Sequence, residues 1–372
     1  MTSGKLKMQP EKRYILPDRI FTGETWMSGE ALILDGSRMR IDPVAGLPPS
    51  ANVERFPSHF VAPAFIDLQV YGAAGKLLGT EPTVETLRAM EESAALSGTA
   101  YFLPTVATNT REAILRSVDA VKEYWSAGGQ AVLGLHLEGP WINPEKRGAH
   151  VKDLIREPRL EDVIDVVKYC KGVIKMITLA PEICSDEILK LLGAENIIIS
   201  AGHSAASFDE ARRAFRNGVR CVTHLYNAMS PFHHREPGVV GAVFADESVM
   251  ASIIPDGHHV RFEAITVAKN LIGDRLFAIT DAVTDTAGGF YLHNRVNDRY
   301  EVDGVLSGSA ITMFQAFRNL VGHCRIEAGE ALRMCSLYPA RLLGRPELGM
   351  IAAGTGAPLV LIDNDLRSVR LI

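Results

Sequence analysis

Eight short apolar runs punctuate the middle of the chain: Ala64–Val70, Thr99–Pro104, Ala131–Leu137, Ile174–Leu179, Asn196–Ala201, Arg220–His224, Met250–Pro255 and Leu276–Thr280. Most are rich in Val, Ile and Leu, the pattern of parallel strands buried on both faces. Helix signals lie between several of them. Ser207-Phe208-Asp209-Glu210 spells a capping box before a segment that stops at Gly218. Thr83 stands before a segment that stops at Gly98. Outside this region the pattern changes. Up to about Ser58, short alternating runs are broken by Gly and Pro, and the tail from Gly356 reads the same way, with Asp363-Asn364-Asp365 as a hairpin turn. The expectation is an α/β chain: a (β/α)8 TIM-like barrel over residues 61–344, inserted into a small β-sandwich module made by residues 1–60 and 345–372.

Composition narrows the class. At 372 residues the chain suits a barrel of ~250 residues plus a module. Apolar residues make up 47% and charged residues 22%, an ordinary globular balance. A net charge of −5 gives no case for nucleic acid or an anionic membrane as partner. No apolar stretch reaches the ~18 residues of a membrane helix. The basic N-terminal segment lacks the apolar core of a signal peptide. Cys170, Cys184, Cys221, Cys324 and Cys335 are scattered and odd in number, which suits a reducing cytoplasm.

The chemistry sits at the ends of the expected strands, where barrel enzymes build their sites. Glu138, His203 and His224 end the third, fifth and sixth, and Asp281 ends the eighth. Two imidazoles and a carboxylate suit one divalent ion, Zn²⁺ or else Fe²⁺, Co²⁺ or Mn²⁺. Such an ion lowers the pKa of its water to roughly 7, and Asp281 is placed to move the proton. Spacing alone is a weak signal, since a lone strand-end His is more often structural. His136 reads as a buried supporting residue. His59, His293 and His323 read as ordinary core or surface residues. His233, His234 and His258 carry no assigned role.

Longer segments carry a resemblance. They are "HLEGPWINPEKRGAH", "SAGHSAASFDEARRAFRNGVRCVTHLYNAMSPFHHREPGVVGA", "PDGHHV", "TDA" and "LSGSAITM". Together they resemble the N-acetylglucosamine-6-phosphate deacetylases of the amidohydrolase superfamily. The resemblance implies hydrolysis of the acetamide on a 6-phosphorylated amino sugar, in amino-sugar catabolism. It implies a single metal on Glu138, His203 and His224, and Asp281 as base and then acid. It implies substrate contacts at Ala149, His150, Asn227, Ala228, His259, Leu306, Ser307 and Gly308. Arg235 is implied to bind phosphate in the neighbouring subunit of a homodimer. The N-acetylgalactosamine 6-phosphate epimer is the alternative substrate. Two departures stand out: Ala64 replaces a frequent glycine, and His258 is an additional histidine. On the first strand, Gln69 and Tyr71 stand where many amidohydrolases carry His-x-His. Gln69 is expected to support the site by hydrogen bonding; Tyr71 is expected either to do likewise or, the favoured reading, to pack beneath it. Asp67 is expected to fix the barrel floor or a neighbouring loop.

Overall fold

The structure, a computed structural model, describes residues 12–36, 38–286, 288–354 and 356–372. The N-terminal segment read above as lacking a signal peptide falls almost wholly outside them. Eight parallel strands follow one another around a barrel: β1 (Phe65–Val70), β2 (Thr99–Ala107), β3 (Leu135–Glu138), β4 (Ile174–Leu179), β5 (Ile198–Ala201), β6 (Val219–Val222), β7 (Met250–Ile253) and β8 (Leu276–Ala278). They are the eight apolar runs, in the same order.

The boundaries differ for local reasons. β3 starts at Leu135 because Gly134 takes φ +150° and lies against Val173 O, where a Cβ would clash. β5, β6 and β8 stop before their polar residues, because His203, His224 and Asp281 all adopt left-handed backbone with φ between 35° and 55°. The helix signals hold. Ser207 caps Phe208–Arg216 in a reciprocal box with Glu210, and the Thr83 hydroxyl caps Val84–Leu96.

The two chain ends share a seven-stranded mixed sheet. Leu359–Asp363 runs antiparallel to Val53–Pro63. Alternation divides its faces: Val61, Leu359 and Leu361 pack in the module's own core, while Phe60, Ala62, Val360 and Ile362 join the barrel core. Asp363 stabilises the turn after its strand by accepting the N–H groups of Asp365, Arg367 and Ser368.

A strap after β8 was not anticipated. Asn294–Val296, Arg299–Val302 and Val305–Ser309 form an antiparallel three-stranded sheet. Its last strand returns to the barrel rim through a bridge between Ala282 and Ser309. No helix among the described residues is long and apolar enough to cross a membrane.

The barrel closes between β1 and the chain just past β8. Tyr71 N–H donates to Ala282 O at 2.9 Å, and Asp281 N–H donates to Gln69 O at 2.9 Å. Beneath them Asp67 accepts the Thr280 hydroxyl at 2.5 Å and the Thr280 N–H at 3.2 Å. Burial pushes the Asp67 carboxyl up to about 6, against the pull of its Thr280 hydrogen bonds. Asp67→Ala would leave these donors without an acceptor, and is expected to cost about 2–4 kcal/mol. Urea unfolding measures it; a loss below about 0.5 kcal/mol, the range of neutral surface changes, would mean that this seam does not depend on Asp67.

Candidate active site

Glu138 lies at the end of β3, at the bottom of a pocket of about 300 Å³, and is 2% exposed. His203 and His224 follow β5 and β6 and converge on one of its oxygens. Oε1 lies 3.3 Å from His203 Nε2 and 3.1 Å from His224 Nε2, and the two nitrogens are 3.2 Å apart. Ligand atoms held tetrahedrally at 2.0–2.1 Å from one ion would stand roughly 3.3 Å apart, so this triangle fits a single metal. The His203 tautomer fits as well. His203 Nδ1–H donates to Lys146 O at 2.9 Å, which leaves Nε2 bare toward Glu138. Two acceptors facing each other favour a cation between them.

His150 also reaches Glu138, and Glu138, His150 and His203 by themselves form a cluster compact enough for an ion. Hydrogen bonding separates the roles. Thr108 N–H donates to His150 Nδ1 at 3.3 Å, so the His150 proton is on Nε2, which donates to Glu138 Oε2 at 3.0 Å. Burial holds the ring neutral, down to about 4. A nitrogen that carries a proton toward the carboxylate is a brace, and the Oε1 triangle with His224 is the better ion site.

Other loops fix these side chains. Glu182, after β4, accepts from Asn143 Nδ2, the Ser204 hydroxyl and Ala205 N–H, at 3.0, 2.6 and 2.6 Å. Those bonds clamp the turn that carries His203, and Asn143 N–H donates to His203 O at 2.9 Å. His224 N–H donates to Ser252 Oγ at 2.8 Å. Left-handed backbone at a non-glycine residue costs on the order of 1–3 kcal/mol. Four such residues around one pocket, His203, His224, Ala228 and Asp281, mark it as a place where conformation serves chemistry.

A match to the amidohydrolase family runs over residues 60–370. The chain belongs to that family. N-acetylglucosamine-6-phosphate deacetylase of Haemophilus influenzae is 33% identical over 92% of this chain and 93% of its own. N-acetylgalactosamine-6-phosphate deacetylase of Shewanella sp. (strain ANA-3) is 35% identical over 84% of this chain and 82% of its own. A crystal structure of N-acetylglucosamine-6-phosphate deacetylase from Pasteurella multocida aligns with TM-score 0.92 and 34% identity, over 96% of this chain and 97% of that one. This amidohydrolase is therefore a hydrolase of the amide-cleaving class.

The remaining expected residues divide. Ala149, Asn227, Ala228 and His259 line the amidohydrolase pocket, as do Leu306, Ser307 and Gly308 from the strap. His259 Nδ1 donates to Asp256 at 2.6 Å, which turns its other nitrogen free of that bond. Burial raises the Asp256 carboxyl, but His259 and two backbone N–H donors outweigh it and hold the group below the usual range. Arg235 does not line the pocket. It sits on the exposed loop after Pro231 and donates to His234 at 3.2 Å. His258 pairs with Asp298 on the strap at 2.9 Å, an exposed contact worth roughly 0–1 kcal/mol. His136 is fully buried between Leu68 O and the Thr178 hydroxyl.

Three corrections concern residues read as bland or overlooked. Tyr71 does more than pack: its hydroxyl donates to Glu138 Oε2 at 2.5 Å and lies 3.3 Å from Asp281 Oδ1. His293 is neither surface nor plain core. It lines the pocket, stacks with Tyr291 at 6.0 Å and bonds Ser307 Oγ at 2.9 Å. Lys146, unremarked in the sequence, is the one lysine or arginine among the described lining residues. Gln69 Nε2 donates to Asp281 Oδ1 at 2.7 Å and Glu138 Oε1 at 3.0 Å.

The charges settle accordingly. Burial raises the Glu138 carboxyl, but the histidines facing it outweigh burial and keep it ionised. Burial, and then the Glu138 charge, push the Asp281 carboxyl far up, so Asp281 holds a proton in the metal-free site. His293 is lowered by burial from 6.5 to about 4. Its folded value lies below its unfolded value, so it favours the folded state above pH 6.5. That contribution is lost as pH falls from 6.5 to about 4, because the unfolded chain takes the proton first. The stake is on the order of 3 kcal/mol. Thermal melts of His293→Gln should fall less steeply across this window than those of the natural chain. Parallel curves would rule out this contribution.

Proposed function

We propose that the protein is a cytoplasmic, metal-dependent deacetylase of N-acetyl-D-glucosamine 6-phosphate, releasing glucosamine 6-phosphate and acetate. The observation that carries this is the Glu138–His203–His224 triangle with Asp281 bridged to it through Gln69. The five free, buried cysteines are consistent with the compartment. In this reading residues 61–344 are the catalytic unit and the module of 1–60 and 345–372 supports it.

Glu138, His203 and His224 would hold one divalent ion, zinc in the first instance. When bound, it acidifies water and polarises the acetamide carbonyl. The chain supplies the rest. Asp281 takes one proton from the attacking water and gives it to the sugar nitrogen, because an amine leaves badly unprotonated. Burial and the neighbouring Glu138 charge favour its protonated form, as an acid requires. His259, oriented by Asp256, and His150, oriented by Thr108, face the same space. Asn227 and Ala228 flank His224 and contact the sugar.

Phosphate is the harder question. Among the described lining residues Lys146 is the one permanent cation, little for a dianion. Arg235 stands exposed outside its own pocket, free to enter that of a second copy in a homodimer. The galacto epimer is the second reading, favoured by the 35% identity with the Shewanella enzyme.

Purified protein should carry close to one equivalent of metal per chain and release acetate from one or both epimers, and chelation should abolish turnover. No metal and no turnover on either would refute the reading. Asp281→Asn should lower kcat by about 10²–10⁴-fold in the same assay; full activity would remove Asp281 from the proton path.

Arg235→Ala should raise KM by about 10- to 100-fold, the equivalent of one charged hydrogen bond. If the arginine crosses the interface, mixing Arg235→Ala chains with Asp281→Asn chains restores about a quarter of the sites, since half the dimers are hybrid and each has one intact site. No recovery after subunit exchange would place Arg235 elsewhere.

A further inference from the structure

Glu138 presents its two oxygens to different surroundings. Oε1 accepts one donor, Gln69 Nε2–H at 3.0 Å, and otherwise faces the nitrogens of His203 and His224 at 3.3 and 3.1 Å. Oε2 accepts the Tyr71 hydroxyl at 2.5 Å and His150 Nε2–H at 3.0 Å. A carboxylate oxygen has two in-plane lone pairs, so two donors fill Oε2. A cation approaching Oε2 would meet the positive ends of an O–H and an N–H. The ring that brings the hydroxyl is held from two sides. Its backbone N–H is fixed at the barrel seam to Ala282 O, and its oxygen packs 2.8 Å from Gln69 Nε2.

From this partition we propose that Tyr71 is a positioning residue that commits Glu138 to offer one oxygen, Oε1, to a single ion. The inference rests on the metal reading above and deepens it. With Oε2 capped, Glu138 can neither chelate an ion with both oxygens nor bridge two ions. The same phenol lies 3.3 Å from Asp281 Oδ1, so it also fixes the spacing between the ligand and the proton carrier. His150 alone does not suffice, because with Gln69 on Oε1 it fills one lone pair of Oε2 and leaves the other open to a cation. The phenol adds a second, short, charge-assisted bond, the stronger kind.

Tyr71→Phe separates hydroxyl from ring. In the full-length protein it keeps the packing and removes the donor. Competition against a chromophoric chelator should show Zn²⁺ affinity lowered by about 10- to 100-fold, the usual effect of removing a group that orients a metal ligand. With saturating metal, kcat should fall while KM moves by less than about threefold, because the lost contact is not to substrate. The metal-free Phe protein should melt a few degrees lower, because one donor to a buried carboxylate is lost, so affinity is compared at a temperature where both proteins are fully folded. Should the Phe chain fail to fold, Tyr71→Met fills similar space without a donor and is read the same way. Affinity and kcat within about twofold of the natural chain would overturn the proposal and leave Tyr71 as packing. A natural chain that binds no ion would instead overturn the metal reading, and the two failures are thereby distinct.

Discussion

A carboxylate charge at the bottom of a nearly dry pocket is the constraint on which the site is organised. Glu138 is 2% exposed. An unpaired charge there would cost several kcal/mol or neutralise itself. It stays ionised because Gln69, Tyr71 and His150 turn donors toward it and the histidines around it outweigh burial. Burial, and then this charge, raise the Asp281 carboxyl. Two buried carboxyl groups linked through one amide cannot both ionise cheaply, so Asp281 keeps its proton in the metal-free site. Burial and one neighbouring charge therefore bias the protonation of the group best placed to move a proton.

The scaffold exists to hold that charge in place. The residues proposed as ligands and proton carrier come from β3 and from the turns after β5, β6 and β8, far apart in sequence. Closing the barrel brings them to one rim. The seam is where closure and chemistry coincide: the strand that carries Gln69 and Tyr71 pairs with the residues around Asp281. Below it, Asp67 and Thr280 hold the same two strands with side chains. The left-handed residues at the strand ends turn His203, His224 and Asp281 inward, against their local preference. The interlocked loops around Glu182 supply the opposing stabilisation for one of them.

What was legible in the sequence follows from how local each signal is. A buried parallel strand is a continuous apolar run whatever it pairs with, so all eight could be read. A capping box is written in four residues, so Ser207 and Glu210 were readable. The strap was not. Its strands are short and mostly half-buried, and their cues are turn residues, Asn297 and Asp303-Gly304, which suit any loop. Overlooking it meant overlooking His293, whose burial comes from the strap folding over the rim. Tyr71 was misjudged for a related reason. Whether a phenol packs or donates depends on what lies opposite, and Glu138 is 67 residues away. Resemblance supplied Ala149, His259 and the Leu306–Gly308 edge, none of which spacing would have singled out.

Gln69 and Tyr71 also show why a strand without His-x-His need not belong to a dead enzyme. Neutral imidazoles at both positions would offer lone pairs to the pocket, a surface that attracts a second cation. An amide nitrogen and a phenol instead offer hydrogens, and those hydrogens point at Glu138 and Asp281. The polarity of this wall is reversed. Carboxylates that would otherwise need cations on both sides are satisfied on one side by the protein itself. Demand for positive charge is left concentrated on the other, where Oε1 meets His203 and His224.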